Sequence, residues 1–333
     1  MLYEFVHPNK RLEDVSFYSA LPDANIHLHD QHLQSFFNFM AERQNVWYKR
    51  NILKQKAPWT SDKLLANYAF TNVYRELDRS SQWLIRNVIS DKSLELKDLI
   101  FRIFIYRYFN KPDAFEDGYV DLPTWDNFDP VKLHKQVINC RKHYNPWHTA
   151  YMSNLVWAKK QPFEGEMFKD HAYCIQLFPQ FRTVSWFISE LLTSGNKPVI
   201  IMKNLNMLPS ISGFMSHELW LDYCLLQKYN KYDFGWDENS YTNVGPGASL
   251  GIRLIFPSLS PQGQEEGIYA LRDVSEHMLS DMDFKYVKWD GKEYVDCEHN
   301  ITLHQIEFVL CEYSKYWKMQ IGIGKQRSKF VPH

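Results

Sequence analysis

The chain has 333 residues, 45% of them hydrophobic and 23% charged, which excludes a disordered chain and leaves enough residues for a large buried core. Aromatic residues reach 16%; large rings fill a core efficiently, and ring faces also stack on unpaired bases. The net charge of -1 excludes bulk attraction to phosphate, so binding to nucleic acid would need a local basic surface.

Apolar residues recur at helical spacing along most of the chain. The first predicted helix covers residues 30–50, and Pro58 separates it from a second helix that Ser61 or Asp62 caps and that continues to about Val88. Residues 110–130 and 230–247 are predicted loops, and residues 198–202 fit either a short strand or the start of a buried helix. The other predicted helices cover residues 94–109, 130–143, 166–178, 181–193, 211–228, 248–256 and 303–319.

One β hairpin interrupts this helical pattern. Residues 283–296 contain two short strand-like runs around Asp290-Gly291, a dipeptide that favours a tight turn. The sequence therefore predicts a mainly α fold with an irregular lead-in over residues 1–30 and a single helical domain over residues 31–325. Within that domain, residues 257–300 form an insert that carries the hairpin.

The cysteines and the apolar runs indicate the cellular compartment. The five cysteines show no paired short spacing, which argues for reduced thiols rather than a disulfide framework or a zinc site. The first residues lack a secretory signal pattern, and no apolar run approaches the roughly 20 residues needed to span a bilayer. We therefore expect a soluble cytoplasmic protein without a metal, a cofactor, a membrane contact or an obligate protein partner.

Several catalytic motifs are absent from the sequence. Gly322-Ile323-Gly324-Lys325 lacks the upstream glycine and the Ser/Thr of a phosphate-binding loop. The zinc-protease helix, the paired-cysteine motif and the nucleophile elbow of hydrolases are also missing. Kinase, zinc-protease and α/β-hydrolase chemistry are therefore not expected.

Three groups of basic residues are candidate phosphate contacts, although each also fits an ordinary solvated surface. The first group is Arg43, Lys49, Arg50, Lys54 and Lys56. The second group is Lys132, Lys135, Arg141 and Lys142. The third group is Lys315, Lys318, Lys325, Arg327 and Lys329.

The most distinctive segment covers residues 70–79. On a helix, one polar stripe would contain Asn72, Arg75, Glu76 and Arg79. This stripe fits a salt-bridged surface, in which Arg75 pairs with Asp78, and it equally fits a polar wall that faces phosphates or an extruded base. In the second interpretation the arginines bind phosphate and Asn72 pairs with a base edge.

Gly245-Pro246-Gly247-Ala248 precedes a predicted helix. Glycines let the backbone approach a ligand, and free N–H groups at a helix start attract phosphate, as in a helix–hairpin–helix clamp. The same tetrapeptide is also typical of an ordinary turn. The helix and loop that precede it supply the helix–loop–helix order that such a clamp requires.

The last predicted helix carries Glu307, Cys311, Glu312 and Lys315. Glu312 and Lys315 are spaced for an ion pair on a surface helix. A buried carboxylate beside the lysine would instead be a candidate acid or base.

Together these segments resemble one family, the α-glutamyl/putrescinyl-thymine pyrophosphorylases, whose helical domain also occurs in phage 5-hydroxymethyluracil DNA kinases. The resemblance covers about residues 35–320, and its most specific part is Phe70–Arg79. The other matching segments are Lys56–Thr60, Phe101–Arg102, Thr149–Met152, Gly213–Phe214 with Asp222, Gly245–Ala248, Leu310–Tyr313 and Lys315–Tyr316.

The resemblance implies a fold similar to helix–hairpin–helix base-excision glycosylases and a substrate of double-stranded DNA with modified bases, as in phage genomes. Chemistry on such a base requires that it leaves the stack, which costs a few kcal/mol. The chain departs from the family in two ways. The phosphate-loop domain of the kinases is missing, which argues against phosphorylation, and Gln305 stands where an acidic residue is expected, with Glu307 two positions later.

The resemblance leaves three hypotheses open. The first is a DNA glycosylase that excises a glucosylated hydroxymethyl-pyrimidine from phage DNA in anti-phage defence, with a carboxylate that stabilises the cationic sugar or activates water. The second is a transferase that replaces pyrophosphate on 5-hydroxymethyluracil with an amine or amino acid, and the third is a module that only binds modified DNA. The catalytic candidates are Asp222, Glu307, Glu312 and Asp78; the candidate DNA or base contacts are Asn72, Arg75, Arg79, Tyr74, Trp59, Gly245, Gly247 and Lys315.

Overall fold

A computed structural model of the chain describes residues 29–148, 155, 157, 158, 168–298 and 301–324, with the backbone of Val6–His7 and Lys10–Arg11. The chain divides into two compact units: unit 1 is Met1–Asp78 with Tyr241–His333, and unit 2 is Arg79–Ser240. The rest of the predicted lead-in, the matching segment Thr149–Met152 and the basic residues Lys325, Arg327 and Lys329 lie outside the described residues.

The described residues are mainly α-helical, as predicted. The helices are α1 (Asp30–Asn51), α2 (Lys63–Asn67), α3 (Arg79–Leu84), α4 (Leu96–Phe109), α5 (Asp113–Glu116), α6 (Pro130–Arg141), α7 (Phe168–His171), α8 (Phe178–Thr193), α9 (Pro198–Leu205), α10 (Gly213–Tyr229), α11 (Pro246–Ile255), α12 (Gln264–Ser280) and α13 (Leu303–Gln320). Shorter helical turns are the 3-10 turns Arg75–Leu77 and Pro261–Gly263 and the π-helical segments Ile85–Ile89 and Ala172–Leu177. The strands are β1 (Val6–His7), β2 (Lys10–Arg11), β3 (Val287–Trp289) and β4 (Tyr294–Asp296), paired β1 with β2 and β3 with β4, both antiparallel.

The core of unit 1 lies between α1, α11, α12 and α13. Phe36 of α1 is fully buried and meets Tyr313 of α13 edge to face, with ring centroids 5.7 Å apart. Burial of such a ring contributes about 1.5–3 kcal/mol. Helix α11 approaches α13 closely because Gly251 lacks a Cβ, which would come within 2.8 Å of the Leu310 carbonyl oxygen. This packing fixes α13, the helix that carries Glu307, Glu312 and Lys315.

The predicted hairpin is confirmed in unit 1. Trp289 pairs with Tyr294, so the loop Asp290–Glu293 connects β3 to β4. The Asp290 carboxylate accepts the backbone N–H groups of Lys292 and Glu293 at 2.8 and 2.9 Å, and Gly291 has a φ of 107°, which only glycine adopts without strain. Asp-Gly therefore forms part of the turn, as the sequence predicts.

Unit 2 is built around α4 and α10. Helix α4 buries every residue except Lys97 and Arg102, which is typical of a helix enclosed on all sides. Its Phe104 stacks on Phe181 of α8 with ring centroids 4.7 Å apart. The charged Arg107 also lies in this core, and its partner is Asp222 of α10.

The predicted helix from residue 61 or 62 to about residue 88 is wrong as a continuous element. Asp62 does cap its start, since its carboxylate accepts the N–H groups of Leu64 and Leu65, but α2 ends at Asn67. The chain then runs without α-helix to the 3-10 turn Arg75–Leu77, and α3 follows it.

Three other segments can be compared with their predictions. Residues 168–193 form one helical run, in which the π segment Ala172–Leu177 replaces the predicted break between two helices. Residues 198–202 begin a helix, α9, which confirms the second of the two alternatives left open for them. Helix α12 lies inside the predicted insert and was not expected, although its buried residues recur at helical spacing: Ile268, Leu271, Val274 and Met278.

None of the described helices combines the length and the apolar character that a membrane span requires.

Candidate functional site

The segment between α2 and α3 brings polar side chains together without forming an α-helix. The Asp78 carboxylate accepts the backbone N–H of Asn72 at 3.2 Å and its amide Nδ2 at 2.7 Å, which closes the segment into a loop. Nη1 of Arg75 donates to the other Asp78 oxygen at 2.6 Å. Side-chain bonds to local backbone compete with helix formation, so the polar stripe predicted on a helix is wrong. The predicted pairing of Arg75 with Asp78 is confirmed.

Arg43 of α1, which precedes Asn72 by 29 residues, also contacts this loop. Its Nη2 donates to Oδ1 of Asn72 at 2.5 Å, and its Nε donates to the Phe70 carbonyl at 3.0 Å. Both ends of the Asn72 amide are therefore engaged inside the protein, where they connect Arg43 to Asp78. Reading of a base edge by Asn72 remains a prediction, and in this structure the side chain positions its charged neighbours.

Burial changes the protonation equilibria of these charges. Burial, with a smaller contribution from the charge of Arg50, lowers the pKa of Arg43 to about 10 against the attraction of Asp78 and Glu312. Burial also raises the pKa of Asp78, and the opposing effects of Arg75 and of the Asn72 N–H donors are smaller. The loop thus holds charged groups that solvent screens poorly.

Helix α13 presents a second set of charges to the same loop. Nζ of Lys315 lies 2.5 Å from Oε1 of Glu312, whose other oxygen accepts the Thr71 N–H at 3.4 Å. One turn earlier, the guanidinium of Arg75 lies over the Phe308 ring, 4.6 Å from its centroid. The Glu312 side chain is only 9% exposed whereas that of Lys315 is 46% exposed. The predicted ion pair is confirmed, and its carboxylate is buried.

We call Arg43, Asn72, Arg75, Asp78, Glu312 and Lys315 the α13 cluster. Burial is the largest single effect on the pKa of Lys315 and lowers it, but the charges of Glu312 and Cys311 and the hydrogen bond to Glu312 together raise it by more, so that the net shift is upward. Lys315 is therefore an ammonium ion at neutral pH. The cluster can offer a ligand a half-exposed cation above a buried carboxylate.

A further carboxylate is that of Glu307, which belongs to α13 and contacts the N-terminus of α11. The Gly245 N–H donates to Oε1 of Glu307 at 3.3 Å, and a Cβ on Gly245 would come within 3.2 Å of the same oxygen. A carboxylate at a helix N-terminus is favourable, and here it lies where phosphate was expected. Gly247 packs on Cys311 of α13, since a Cβ there would collide with Sγ and approach Cβ to 3.2 Å. Phosphate binding by these glycines remains a prediction.

The other predicted site residues lie elsewhere in the fold. Tyr74 is buried in unit 1, with its hydroxyl 3.6 Å from Sγ of Cys297. Trp59 is half-buried in the loop before α2, where its indole N–H donates to the Gln55 carbonyl. Arg79 and Asp222 belong to unit 2, where Arg79 is exposed and pairs with acidic residues of α5 and Asp222 is fully buried.

Gln305, which stands where an acidic residue was expected, has a structural role. Its side chain accepts the backbone N–H of Thr302 at 2.6 Å, and Thr302 caps α13 in return. This capping box satisfies helix-terminal donors that otherwise lack a partner. Arg43 was predicted only as a possible phosphate contact, and its bond to Asn72 was not foreseen because the two residues are 29 positions apart and Arg43 belongs to α1.

Fold and site together define a mainly helical domain with a buried cluster of charges that opens to solvent at Lys315. The family model for the helical domain of 5-hmdU DNA kinase matches residues 30–325, so the chain belongs to this family. It is 28% identical over 293 residues to the 5-hmdU DNA kinase of Bacillus phage SP10, an alignment that covers 85% of this chain and 44% of the kinase. The chain thus spans less than half the length of that curated relative. No solved structure matches the chain.

Proposed function

We propose that the chain binds DNA and holds one 5-hydroxymethylated pyrimidine, extruded from the double helix, against the α13 cluster, where the base is chemically changed. The observation that carries this proposal is the convergence of Arg75, Asp78, Glu312 and Lys315 in one unit of a chain from this family. The named activity of the phage relative concerns 5-hmdU in DNA, which favours a hydroxymethylated pyrimidine as the substrate base. Extrusion is required because a base inside the stack is inaccessible to side chains.

The chemistry that the cluster favours is cleavage of the N-glycosidic bond. As the bond from C1′ to the base breaks, its electron pair goes to the base and positive charge develops on the sugar. A buried carboxylate such as Glu312 stabilises that positive charge, and the ammonium of Lys315 stabilises the departing base. A water oxygen then adds to C1′ and its proton passes to a carboxylate. A bulky glucosylated hydroxymethyl-pyrimidine of phage DNA, removed in anti-phage defence, is the substrate that we propose for this activity.

A fold similar to helix–hairpin–helix glycosylases belongs to the same proposal. It is supported by the glycine-rich start of α11, where Gly245 is the N-cap and Pro246 the first helical residue. Glu307 already contacts the Gly245 N–H, and a carboxylate there repels a DNA phosphate. We therefore assign the main phosphate contacts to another surface.

Group transfer is the second candidate, favoured by the cations. Arg43, Arg75 and Lys315 all lie within the α13 cluster, where they suit a leaving pyrophosphate. In this reaction the amine of a donor attacks the hydroxymethyl carbon of the base, the carbon–oxygen bond breaks, and pyrophosphate leaves with the electron pair. The glycosidic bond stays intact, so the products differ from those of a glycosylase.

Mass spectrometry of the DNA separates these functions. The protein is incubated, with and without an amine donor, with duplexes that contain thymine, 5-hydroxymethyluracil, pyrophosphorylated 5-hydroxymethyluracil, 5-hydroxymethylcytosine or glucosylated 5-hydroxymethylcytosine. Free modified base with abasic sites indicates a glycosylase. A new base adduct, formed only on pyrophosphorylated hydroxymethyluracil with an amine donor, indicates a transferase. Tight binding of a modified duplex without any product indicates a binding module, and equal binding of all five duplexes without product contradicts the proposal.

A further inference from the structure

The chain concentrates positive charge between α1 and α2. Five of the residues 49–63 are basic and one is acidic, in a chain whose net charge is -1. The basic residues are Lys49, Arg50, Lys54, Lys56 and Lys63, and the acidic residue is Asp62. We call residues 52–62, together with Lys49 and Arg50, the basic loop.

Hydrogen bonds hold the basic loop in one conformation. The Gln55 N–H donates to the Lys49 carbonyl at 3.0 Å, Nζ of Lys49 donates to the Trp59 carbonyl at 3.0 Å, and the Trp59 indole donates to the Gln55 carbonyl at 2.7 Å. Lys54 between them has a φ of 52°, a left-handed conformation that these bonds maintain. Because the loop is ordered in advance, less conformational entropy is lost when it binds a partner.

The charges of Lys54 and Lys56 are not neutralised by a carboxylate in the described part of the chain. Lys54 and Lys56 are exposed, and no carboxylate of the described part of the chain lies within ion-pair distance of either. Asp62 is engaged elsewhere, as the cap of α2 and as the acceptor of the Tyr316 hydroxyl at 2.5 Å.

The second basic group of the sequence differs in this respect. Lys132 pairs with Asp121 at 3.3 Å, and Nε of Arg141 donates to Asp170 at 2.6 Å. A phosphate would have to compete with these carboxylates, whereas at Lys54 and Lys56 it would displace only water and salt ions.

Helix α1 connects the basic loop to the α13 cluster. Arg43 and Arg50 are seven residues apart, so both lie on one face of α1, about 10 Å apart along its axis. The charge of Arg50 contributes to the lowered pKa of Arg43, which is consistent with their proximity. The Arg50 guanidinium lies over the half-buried Trp59 ring, 5.7 Å from its centroid, and that contact fixes its direction.

We propose that the basic loop binds the phosphate backbone of DNA a few nucleotides from the extruded base, with Lys54 and Lys56 as direct phosphate contacts. This inference rests on the proposed function for the identity of the ligand as DNA. Phosphate contacts position the protein and carry no base sequence, so the loop contributes affinity on modified and unmodified DNA alike. Trp59 acts by orienting Arg50 and the loop backbone.

The test is the salt dependence of DNA binding. Fluorescence anisotropy gives the Kd of the full chain for a duplex with one 5-hydroxymethyluracil and for the same duplex with thymine, over a series of salt concentrations. Each phosphate contact contributes about 0.9 to the slope of log affinity against log salt. The variant Lys54→Gln/Lys56→Gln is therefore expected to lose about 1.8 of that slope, equally on both duplexes.

The matched control is Lys132→Gln/Lys135→Gln, which removes the same charge from exposed positions of unit 2 and is expected to keep the wild-type slope. If the loop variant keeps the wild-type slope, or if the control loses as much, the inference is wrong while DNA binding stands. If the wild-type chain binds neither duplex at low salt, the proposed function fails and the inference fails with it.

Discussion

Each unit buries an arginine with carboxylates, but the two networks differ in their access to solvent. In unit 2, Nε and Nη2 of Arg107 donate to the two oxygens of the Asp222 carboxylate, and Nη1 faces Asn110 at 3.2 Å and Glu218 at 3.8 Å. The side chains of Arg107 and Asp222 are both 0% exposed. In unit 1 the α13 cluster ends at Lys315, whose side chain is half-exposed.

The difference separates a structural network from a candidate site. A sealed ion pair contributes little net stability, because desolvation offsets the attraction, but removal of one partner leaves a buried charge alone. A network that reaches the surface can exchange a solvent contact for a ligand. On this reasoning Asp222, although a catalytic candidate in the sequence, is expected to serve the fold, whereas Glu312 is expected to serve chemistry.

The largest expected effect comes from breaking the sealed pair. Asp222→Ala is expected to lower the free energy of unfolding by about 3–5 kcal/mol, because Arg107 is left buried without its main counter-charge. Urea denaturation followed by circular dichroism measures this change. In the control Arg107→Met/Asp222→Leu both charges are removed, and most of the stability should return. An Asp222→Ala variant that is as stable as the wild type but inactive would make Asp222 catalytic after all.

The second prediction concerns Glu312 of the α13 cluster. Glu312→Gln keeps the shape of the side chain and removes its charge, so the rate of base chemistry should fall about 100-fold or more, or about 2.7 kcal/mol in activation free energy. The free energy of unfolding should change by less than about 1 kcal/mol, since Lys315 can reach water. Single-turnover rates and urea denaturation measure the two quantities.

Glu218→Gln is the matched control for that prediction. It makes the same chemical change at a buried carboxylate of unit 2, which lies 3.8 Å from Arg107. The rate of base chemistry should stay within twofold of the wild type. If both glutamine variants lose activity alike, the contrast between the two networks is wrong.

Local patterns predicted the two helices that frame the site but not the connection between them. Helix α1 was expected over residues 30–50 and covers Asp30–Asn51; α13 was expected over residues 303–319 and covers Leu303–Gln320. Both follow from apolar spacing that tertiary packing reinforces. The ion pair of Glu312 with Lys315 was predictable for the same reason, since it is set by helical geometry.

The helix predicted for the connection between α1 and α3 is wrong for a physical reason. Residues 70–78 look helical in their apolar spacing, yet the Asp78 carboxylate binds the Asn72 backbone and Arg43 binds the Asn72 amide. The first bond is local but competes with a helix in a way that spacing does not reveal. The second depends on where α1 lies, which only the folded chain determines. The packing of Gly247 against Cys311 could not be predicted from the sequence for the same reason.

That glycine provides the next smaller effect, because it determines how closely α11 approaches α13. Gly247→Ala places a Cβ against Sγ of Cys311 and is expected to cost about 1–3 kcal/mol of stability through overpacking. Thermal and urea unfolding measure the loss. The double variant Gly247→Ala/Cys311→Ala removes the sulfur and should recover a large part of it, so the two substitutions should not be additive. Additive losses would mean that the glycine serves something other than this contact.

The smallest effect is the titration of Lys315, and it follows from the exposure that distinguishes the α13 cluster from the sealed pair. The folded pKa of Lys315 is raised above its ordinary 10.5, because the charge and hydrogen bond of Glu312, with the charge of Cys311, together outweigh burial. A raised pKa means that the folded state favours the ammonium form. The resulting stability is complete below the unfolded pKa and disappears as pH rises through the folded one.

The difference in unfolding free energy between the wild type and Lys315→Gln should therefore be constant from pH 7 to about pH 9.5 and shrink above about pH 10.5. Its size should stay under about 1 kcal/mol, since the side chain is 46% exposed and solvent screens the pair. Lys318→Gln, on the same helix and without the Glu312 contact, is the control. If that variant shows an equal pH dependence, Glu312 does not raise the pKa of Lys315, and the pair of Glu312 with Lys315 cannot act in the proposed reaction as described.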